Sequence, residues 1–472
     1  MLHRRDAMLG LGRLGIASAG ASAMSLPGLL RAEGAMDSRR TPGKAKSCIL
    51  VYLWGGPPQQ DMFDLKPDAP EGIRSLFDPI DTVTPGIRVS DQLPQIARHT
   101  DKMSLVRSVT HGSNVHEVGV YHTLTGKVNP RLAVPRNKRN RGDFPCAGSI
   151  ASYFADESRR HGGNARRDMP ASVTIPRPIG HDGVVYSGTY AGFLGPRYDP
   201  IELQPPAEVN EAAPHSFDLP KELADTRFTA RVGLLRQIES ADRALQASRA
   251  TRGLDSSREM AFRMLSSPRA KSAFDVERED PRLRDRYGRN EYGEAFLLAR
   301  RLVESGVRLV TITWYYVCPN GNVANVWDNH GGTGSLGGIT GYQMLKEKYC
   351  LPPLDRGYSA LLDDLSQRGL LDETLVAMFG EFGRTPKINK NAGRDHWGAS
   401  QTAVFAGGGI RGGTVYGSSD RHAAYPASHP VGPEDVLATM YYALGIPPDA
   451  EVPDPTGRPH RVTDGKPMIG LF

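Results

Sequence analysis

Four nearly unbroken apolar runs punctuate the chain. Ser47 to Trp54 reads Ser-Cys-Ile-Leu-Val-Tyr-Leu-Trp and stops at Gly55-Gly56-Pro57-Pro58. A run without polar alternation fits a strand covered on both faces, so it predicts a central strand. Val307 to Trp314 is a second such run, preceded by a helical pattern from Ala295 to Val303 and the stop Ser305-Gly306. A third unit repeats the order, with Leu361, Leu362 and Leu365 on a helix, Gly369 as its stop, and Thr374 to Phe379 as a strand ending at Gly380-Glu381. A fourth strand, Thr402 to Ala406, ends in Gly407-Gly408-Gly409. Helix and buried strand in alternation predict an α/β fold, with a mainly parallel central sheet covered by helices on both faces. Sheets of this kind bind ligands beyond the carboxyl ends of their strands.

Between residues 221 and 289 the pattern changes to highly charged sequence with Leu234, Leu235, Ile238, Ala241 and Leu245 at helical spacing. It predicts a helical insertion packed on one side. Asn129 to Arg141, dense in Arg, Lys, Asn and Pro, and the Pro-rich stretch Pro196 to Pro220 predict surface loops.

The first 35 residues have the charge-then-apolar order of a secretion leader: Arg4 and Arg5, then a weakly apolar stretch rich in Gly, Ala and Ser that runs to Leu30. The paired arginines are similar to a twin-arginine signal, although His3 precedes them and Asp6 follows. This predicts an exported protein, periplasmic or extracellular, with one α/β domain over residues 36–472. Gly10, Gly12 and Gly15 match a dinucleotide-binding fingerprint, but no strand precedes them to deliver the turn, so the match is discarded. Arg13 and Arg31 leave too short an apolar run between them for a transmembrane anchor.

The formal charge is +6, and the leader's four arginines against Asp6 and Glu33 account for a surplus of two, leaving +4. A balance this modest gives no reason to expect a nucleic acid partner. Cys48, Cys146, Cys318 and Cys350 are too widely spaced for a zinc ribbon, and leave room for up to two disulfides.

Carboxylates and histidines gather in four loops at or beyond predicted strand ends: Gly55 to Asp64 with Asp61 and Asp64; His111 to Gly126 with His116 and His122; Trp327 to Gly331 with Asp328 and His330; and Gly380 to Trp397 with Glu381, Asp395 and His396. One such pair is an ordinary turn device, but the fold brings the ends of successive strands together. Asp61, Asp64, Asp328, His330, Asp395 and His396 are therefore candidate ligands for a divalent metal, with zinc, manganese, calcium and magnesium all open. His116, His122 and Glu381 are candidate catalytic groups. Arg384 and Arg394 are candidate anion clamps, since a guanidinium grips phosphate or sulfate bidentately; the alternative is that they pair with nearby carboxylates.

Several of these segments resemble the domain-of-unknown-function family 1501: the Arg-Arg leader, Gly-Gly-x-x-x-x-Asp-x-Phe-Asp at 55 to 64, His-Thr-Leu-Thr-Gly at 122 to 126, and Glu-Ser-Gly-Val-Arg-Leu-Val-Thr at 304 to 311. Trp-Asp-x-His at 327 to 330, Gly-Glu-Phe-Gly-Arg-Thr-Pro at 380 to 386 and Gly-Arg-Asp-His-Trp at 393 to 397 extend the resemblance over nearly the whole chain. That family looks like a distant branch of the alkaline phosphatase and sulfatase superfamily, whose sheet carries a metal site at its strand ends. The run from Glu434 to Pro447 is similar to the superfamily's late helix and Leu-Gly-Ile-Pro ending. Aligning the superfamily's nucleophile motif on Thr125-Gly126 puts His116 where a Cys or Ser is expected, and the usual Asp-His after a strand is replaced by Gly380-Glu381.

The resemblance implies a sulfatase-like protein, and with the candidate ligands it implies a metal-dependent hydrolase of phosphate or sulfate esters whose substrate is an anionic small molecule or glycan ester. An ion that activates water makes a side-chain nucleophile unnecessary. The competing expectation is a non-catalytic exported binding or structural protein that retains the fold.

Overall fold

The computed structural model describes Gly43 and residues 45–129, 139–161, 168–181, 184–202, 259–318, 323–332 and 334–472. The leader over 1–35 lies outside these residues, as do most of the basic loop after Asn129 and residues 203–258.

Eight strands form the main sheet: β1 (Ser47–Tyr52), β2 (Met103–Val109), β3 (Ser172–Ile175), β4 (Ile201–Glu202), β5 (Leu309–Thr313), β6 (Thr374–Phe379), β7 (Gln401–Ala406) and β8 (Thr414–Tyr416). Their order across the sheet is β8-β2-β7-β6-β1-β5-β3-β4. β1 pairs in parallel with β6 and β5, and β3 in parallel with β5 and β4. Only β7 runs against its neighbours, pairing antiparallel with both β6 and β2. The four strands predicted from apolar runs are β1, β5, β6 and β7. The short edge strand β4 falls inside the stretch expected to be loop from Pro196, and β2, β3 and β8 carry too few consecutive apolar residues to stand out.

Side chains alternate across the sheet with the two-residue period of a strand. Ile49, Val51 and Leu53 join one core with Val310, Val376 and Val404, closed by Phe296, Leu354 and Leu361. Cys48, Leu50, Tyr52 and Trp54 join the other with Leu375, Phe379 and Phe405, closed by Val120, Leu124, Ile150 and Leu437. The covering helices are α1 (His116–Thr125), α2 (Ala147–Arg160), α3 (Glu291–Glu304), α4 (Leu351–Gln367) and α5 (Pro433–Ala443). α3 and α4 lie on the first face and α1, α2 and α5 on the second. Asn290 caps α3 by accepting from the backbone N–H groups of Tyr292 and Gly293. Both predicted helix stops hold, with Gly306 and Gly369 in the left-handed region.

Of the predicted insertion, Leu234 to Leu245 lie outside the described residues. The described part is helical over 259–266, Pro268–Phe274 and Pro281–Tyr287, and Arg301 of α3 donates to the Ala273 carbonyl at 3.1 Å. All four cysteines are buried and unpaired, so the disulfides left open by the sequence do not form. Among the described residues no helix is long and apolar enough to cross a membrane.

Candidate metal centre

One rim of the sheet collects five chain segments. β1 exits through Gly55 and Gly56, both in the left-handed region at φ +122° and +87°. A Cβ on Gly55 would stand 2.2 Å from Asn325 Oδ1 and 2.5 Å from the Asp328 nitrogen, so only glycine lets this turn pack against the segment carrying Asp328. β2 exits through His111 to Val115 into α1, whose first residue is His116. β5 leads on to Asp328 and His330, and β6 ends directly before Gly380-Glu381. The reversed β7 makes the fifth contribution: its start lies at the rim where the other strands end, and just upstream His396 and Trp397 pair with Arg384 and Gly383.

At this rim Asp328 is the common partner. Its Oδ1 lies 2.9 Å from His330 Nε2 and 3.0 Å from His396 Nε2, and those two nitrogens are 2.9 Å apart. His116 Nε2 faces the other oxygen, Oδ2, at 3.4 Å. Phe382 forms an apolar wall, with its ring centroid 5.0 Å from that of His116 and 4.5 Å from that of His396.

Each imidazole is held from behind through Nδ1. His116 Nδ1 meets Glu381 Oε1 at 2.6 Å, His330 Nδ1 meets Asp395 Oδ1 at 3.0 Å, and His396 Nδ1 meets the Asn114 carbonyl at 2.9 Å. Carboxylates and carbonyls only accept, which keeps the proton on Nδ1 and turns Nε2 inward. A carboxylate or carbonyl behind each histidine is the arrangement that orients metal ligands. Among the described residues, His116, Asp328 and His396 form the group whose donor atoms lie within 4.8 Å of one another. Zinc binds at about 2.0–2.1 Å from imidazole or carboxylate, which puts tetrahedral donors about 3.3 Å apart. The donor set of imidazole and carboxylate fits zinc or manganese better than calcium or magnesium, which prefer oxygen alone.

Electrostatics follow from this crowding. Burial opposes the charge on Asp328, but the Arg384 guanidinium and the three histidines hold its carboxyl well below the usual range. Burial would lower the pKa of His116, but the carboxylates of Asp328 and Glu381 overcome it and raise it to about 9. His330 is raised by its hydrogen bond to Asp328, and His396 is lowered by burial together with the charges of Arg384 and His116.

The other predicted site residues sit elsewhere or do other work. Asp61 is fully buried, bonded by Arg394 Nε at 2.8 Å and by the Tyr342 hydroxyl at 2.6 Å, and so neutralises Arg394. Asp64 is taken by Lys66 at 2.9 Å and by the Ser419 hydroxyl. Neither aspartate reaches the cluster, because each already balances a cation. Arg394 spends its remaining donors on the carbonyls of Ile73, Thr385 and Pro386. Arg384, equally buried, bonds the carbonyls of Gly55, Gly56, Trp327 and Arg394 and reaches Asp328 at 2.7 Å. The anion-clamp expectation therefore gives way to ion pairs and backbone bracing for both arginines. His122 pairs with Glu434 at 2.9 Å on α5 instead of joining the cluster. Asp395 stands behind His330 as its acceptor.

Two contributors lie outside the candidate set read from the sequence, although His111 opens one of its four loops. The Asn114 carbonyl is a backbone group, and His111 acts through the backbone: its Nε2 donates to the Glu381 carbonyl at 2.6 Å while Nδ1 accepts from the Ser113 N–H at 3.2 Å. Burial pushes His111 down to about 4, which keeps it neutral.

The family described as "Protein of unknown function (DUF1501)" matches residues 45–471. No curated protein matches the sequence. Among solved structures, the phosphonate monoester hydrolase of Silicibacter pomeroyi is 12% identical, with 90% of this chain and 76% of that one covered at a TM-score of 0.37. The PsFucS1 sulfatase of Pseudoalteromonas sp. is 11% identical, covering 87% and 69% at 0.35. The alkaline phosphatase of the Antarctic bacterium TAB5 is 9% identical, covering 86% and 100% at 0.31. With identities and scores of this size, the chemistry has to be read from the chain's own residues.

Proposed function

This chain belongs to the DUF1501 family, and on that premise we propose from its own residues that it is an exported, metal-dependent hydrolase of phosphate or sulfate esters, acting on anionic small molecules or glycan esters. One observation carries the reading: two Nε2 atoms and a carboxylate oxygen converge at 2.9–3.0 Å, with every Nδ1 already committed outward. Inward lone pairs that close around a carboxylate repel one another unless protons or a cation lie between them.

Asp328, His330 and His396 would hold the ion. When bound, it supplies a Lewis acid for the ester oxygen and a lowered pKa for water. His116, on the other side of Asp328, holds or delivers a proton at Nε2 for the attacking water or the leaving group. Arg384 keeps Asp328 ionised and oriented, and Phe382 excludes water beside two of the rings. The Arg4-Arg5 leader supports export.

The deciding experiment is metal analysis of the purified mature protein, followed by a screen of phosphate and sulfate esters. Stoichiometric zinc or manganese and ester turnover lost in His396→Ala are the expected results. Absence of metal, with no thermal shift on adding it, would remove the proposal. A second reading, a non-catalytic binding protein, draws on the full engagement of Arg384 and Arg394, which leaves neither to grip an anion; metal-loaded protein that turns over no ester would favour it.

A further inference from the structure

We infer that Glu381 is a positioning residue for His116, forming with it a carboxylate–imidazole dyad, and not an acid–base group in its own right. The inference rests on the assignment of His116 as the acid–base group.

Glu381 is fully buried. Its Oε1 accepts hydrogen bonds from His116 Nδ1–H at 2.6 Å and from the Gly55 N–H at 2.9 Å, and its Oε2 lies 3.1 Å from the same Gly55 nitrogen. A carboxylate enclosed in this way has no path to a substrate. It can, however, decide which nitrogen of His116 faces Asp328, because an acceptor fixed at Nδ1 leaves Nε2 as the working atom. The same contact fixes the ring plane, which Phe382 supports from one side.

Glu381 is itself held from three directions. Its carboxylate is anchored by the β1 exit at Gly55, its carbonyl accepts from His111 Nε2, and its backbone follows β6 directly. A Cβ on Gly119, one turn into α1, would lie 3.0 Å from both the Cβ and the carbonyl oxygen of Glu381. The helix that begins with His116 is therefore pressed onto the residue that orients it, and glycine at 119 makes that approach possible. A base oriented by a buried third group is the general logic of triads.

The test uses the full mature chain labelled with 15N-histidine, with and without zinc. The wild type should show a far-downfield, exchange-protected Nδ1 proton that His116→Ala removes, as expected for a short charge-assisted bond. Glu381→Gln, which preserves shape, should move that resonance upfield and speed its exchange, and Glu381→Ala should abolish it. In Glu381→Gln, kcat should fall about 10–100-fold, with KM within about twofold and zinc content unchanged. A resonance unmoved in both variants, or wild-type kcat in Glu381→Gln, would overturn the inference. The proton resonance is read without turnover, so a wild type inactive on esters would sink the hydrolase proposal and still leave the dyad decided by the spectrum.

Discussion

His330 and His396 turn their Nε2 atoms toward each other at 2.9 Å, and both meet the same oxygen of Asp328. Donors so arranged should bind zinc or manganese and leave calcium and magnesium aside. At a free concentration 100 times Kd, a bound ion stabilises the fold by about 2.7 kcal/mol. Thermal denaturation should rise with zinc or manganese and stay level with calcium or magnesium. Asp328→Ala and His396→Ala should each erase the difference; a zinc shift surviving in both would place the ion elsewhere.

Charge at His116 makes the metal-free protein sensitive to pH. Its folded pKa is raised from 6.5 to about 9, so the stabilisation is complete below pH 6.5 and is lost as pH climbs through 9. Denaturant midpoints measured without metal should fall across that window, and His116→Ala should flatten the slope. Zinc affinity should change the opposite way, rising with pH as the positive charge of His116 beside the site is neutralised.

Replacing Asp61 tests a structural role. Asp61→Ala strands Arg394 as an unpaired charge in the interior, a change that costs about 3–5 kcal/mol. Urea melts should show that loss, while zinc affinity of the folded fraction stays at the wild-type value. A large drop in zinc affinity would instead return Asp61 to the metal site.

Gly55→Ala should act on the centre from outside it. The new methyl would press on Asn325 Oδ1 and on the Asp328 backbone, in a conformation that L side chains rarely adopt. Isothermal titration should find zinc binding weakened along with stability, and Gly72→Ala, whose added Cβ meets nothing within 4 Å, provides a control for the backbone cost alone.

The reach of the sequence can be traced residue by residue. β1, β6 and β7 are legible because each is an apolar run closed by glycine, β5 because its run follows the helix stop at Gly306, and Asp328, His330 and His396 because they stand in loops that such a fold draws toward one rim. Asp61 and Arg394 have the same local appearance as those candidate ligands. What separates them is a mutual ion pair across more than 300 positions, which no local pattern reveals. The reversal of β7 is equally hidden, since strand direction is set by the connection and not by composition. The Asn114 carbonyl leaves no trace because any residue supplies one.

That reversal has a consequence for how the molecule comes together. The candidate ligands Asp328 and His330 follow β5, whereas His396 lies just before β7 and reaches the rim only when β7 has slotted between β2 and β6. A nascent chain that stops short of that insertion would lack one of the proposed ligands, so tight ion uptake would serve as a clock for the final stage of sheet assembly.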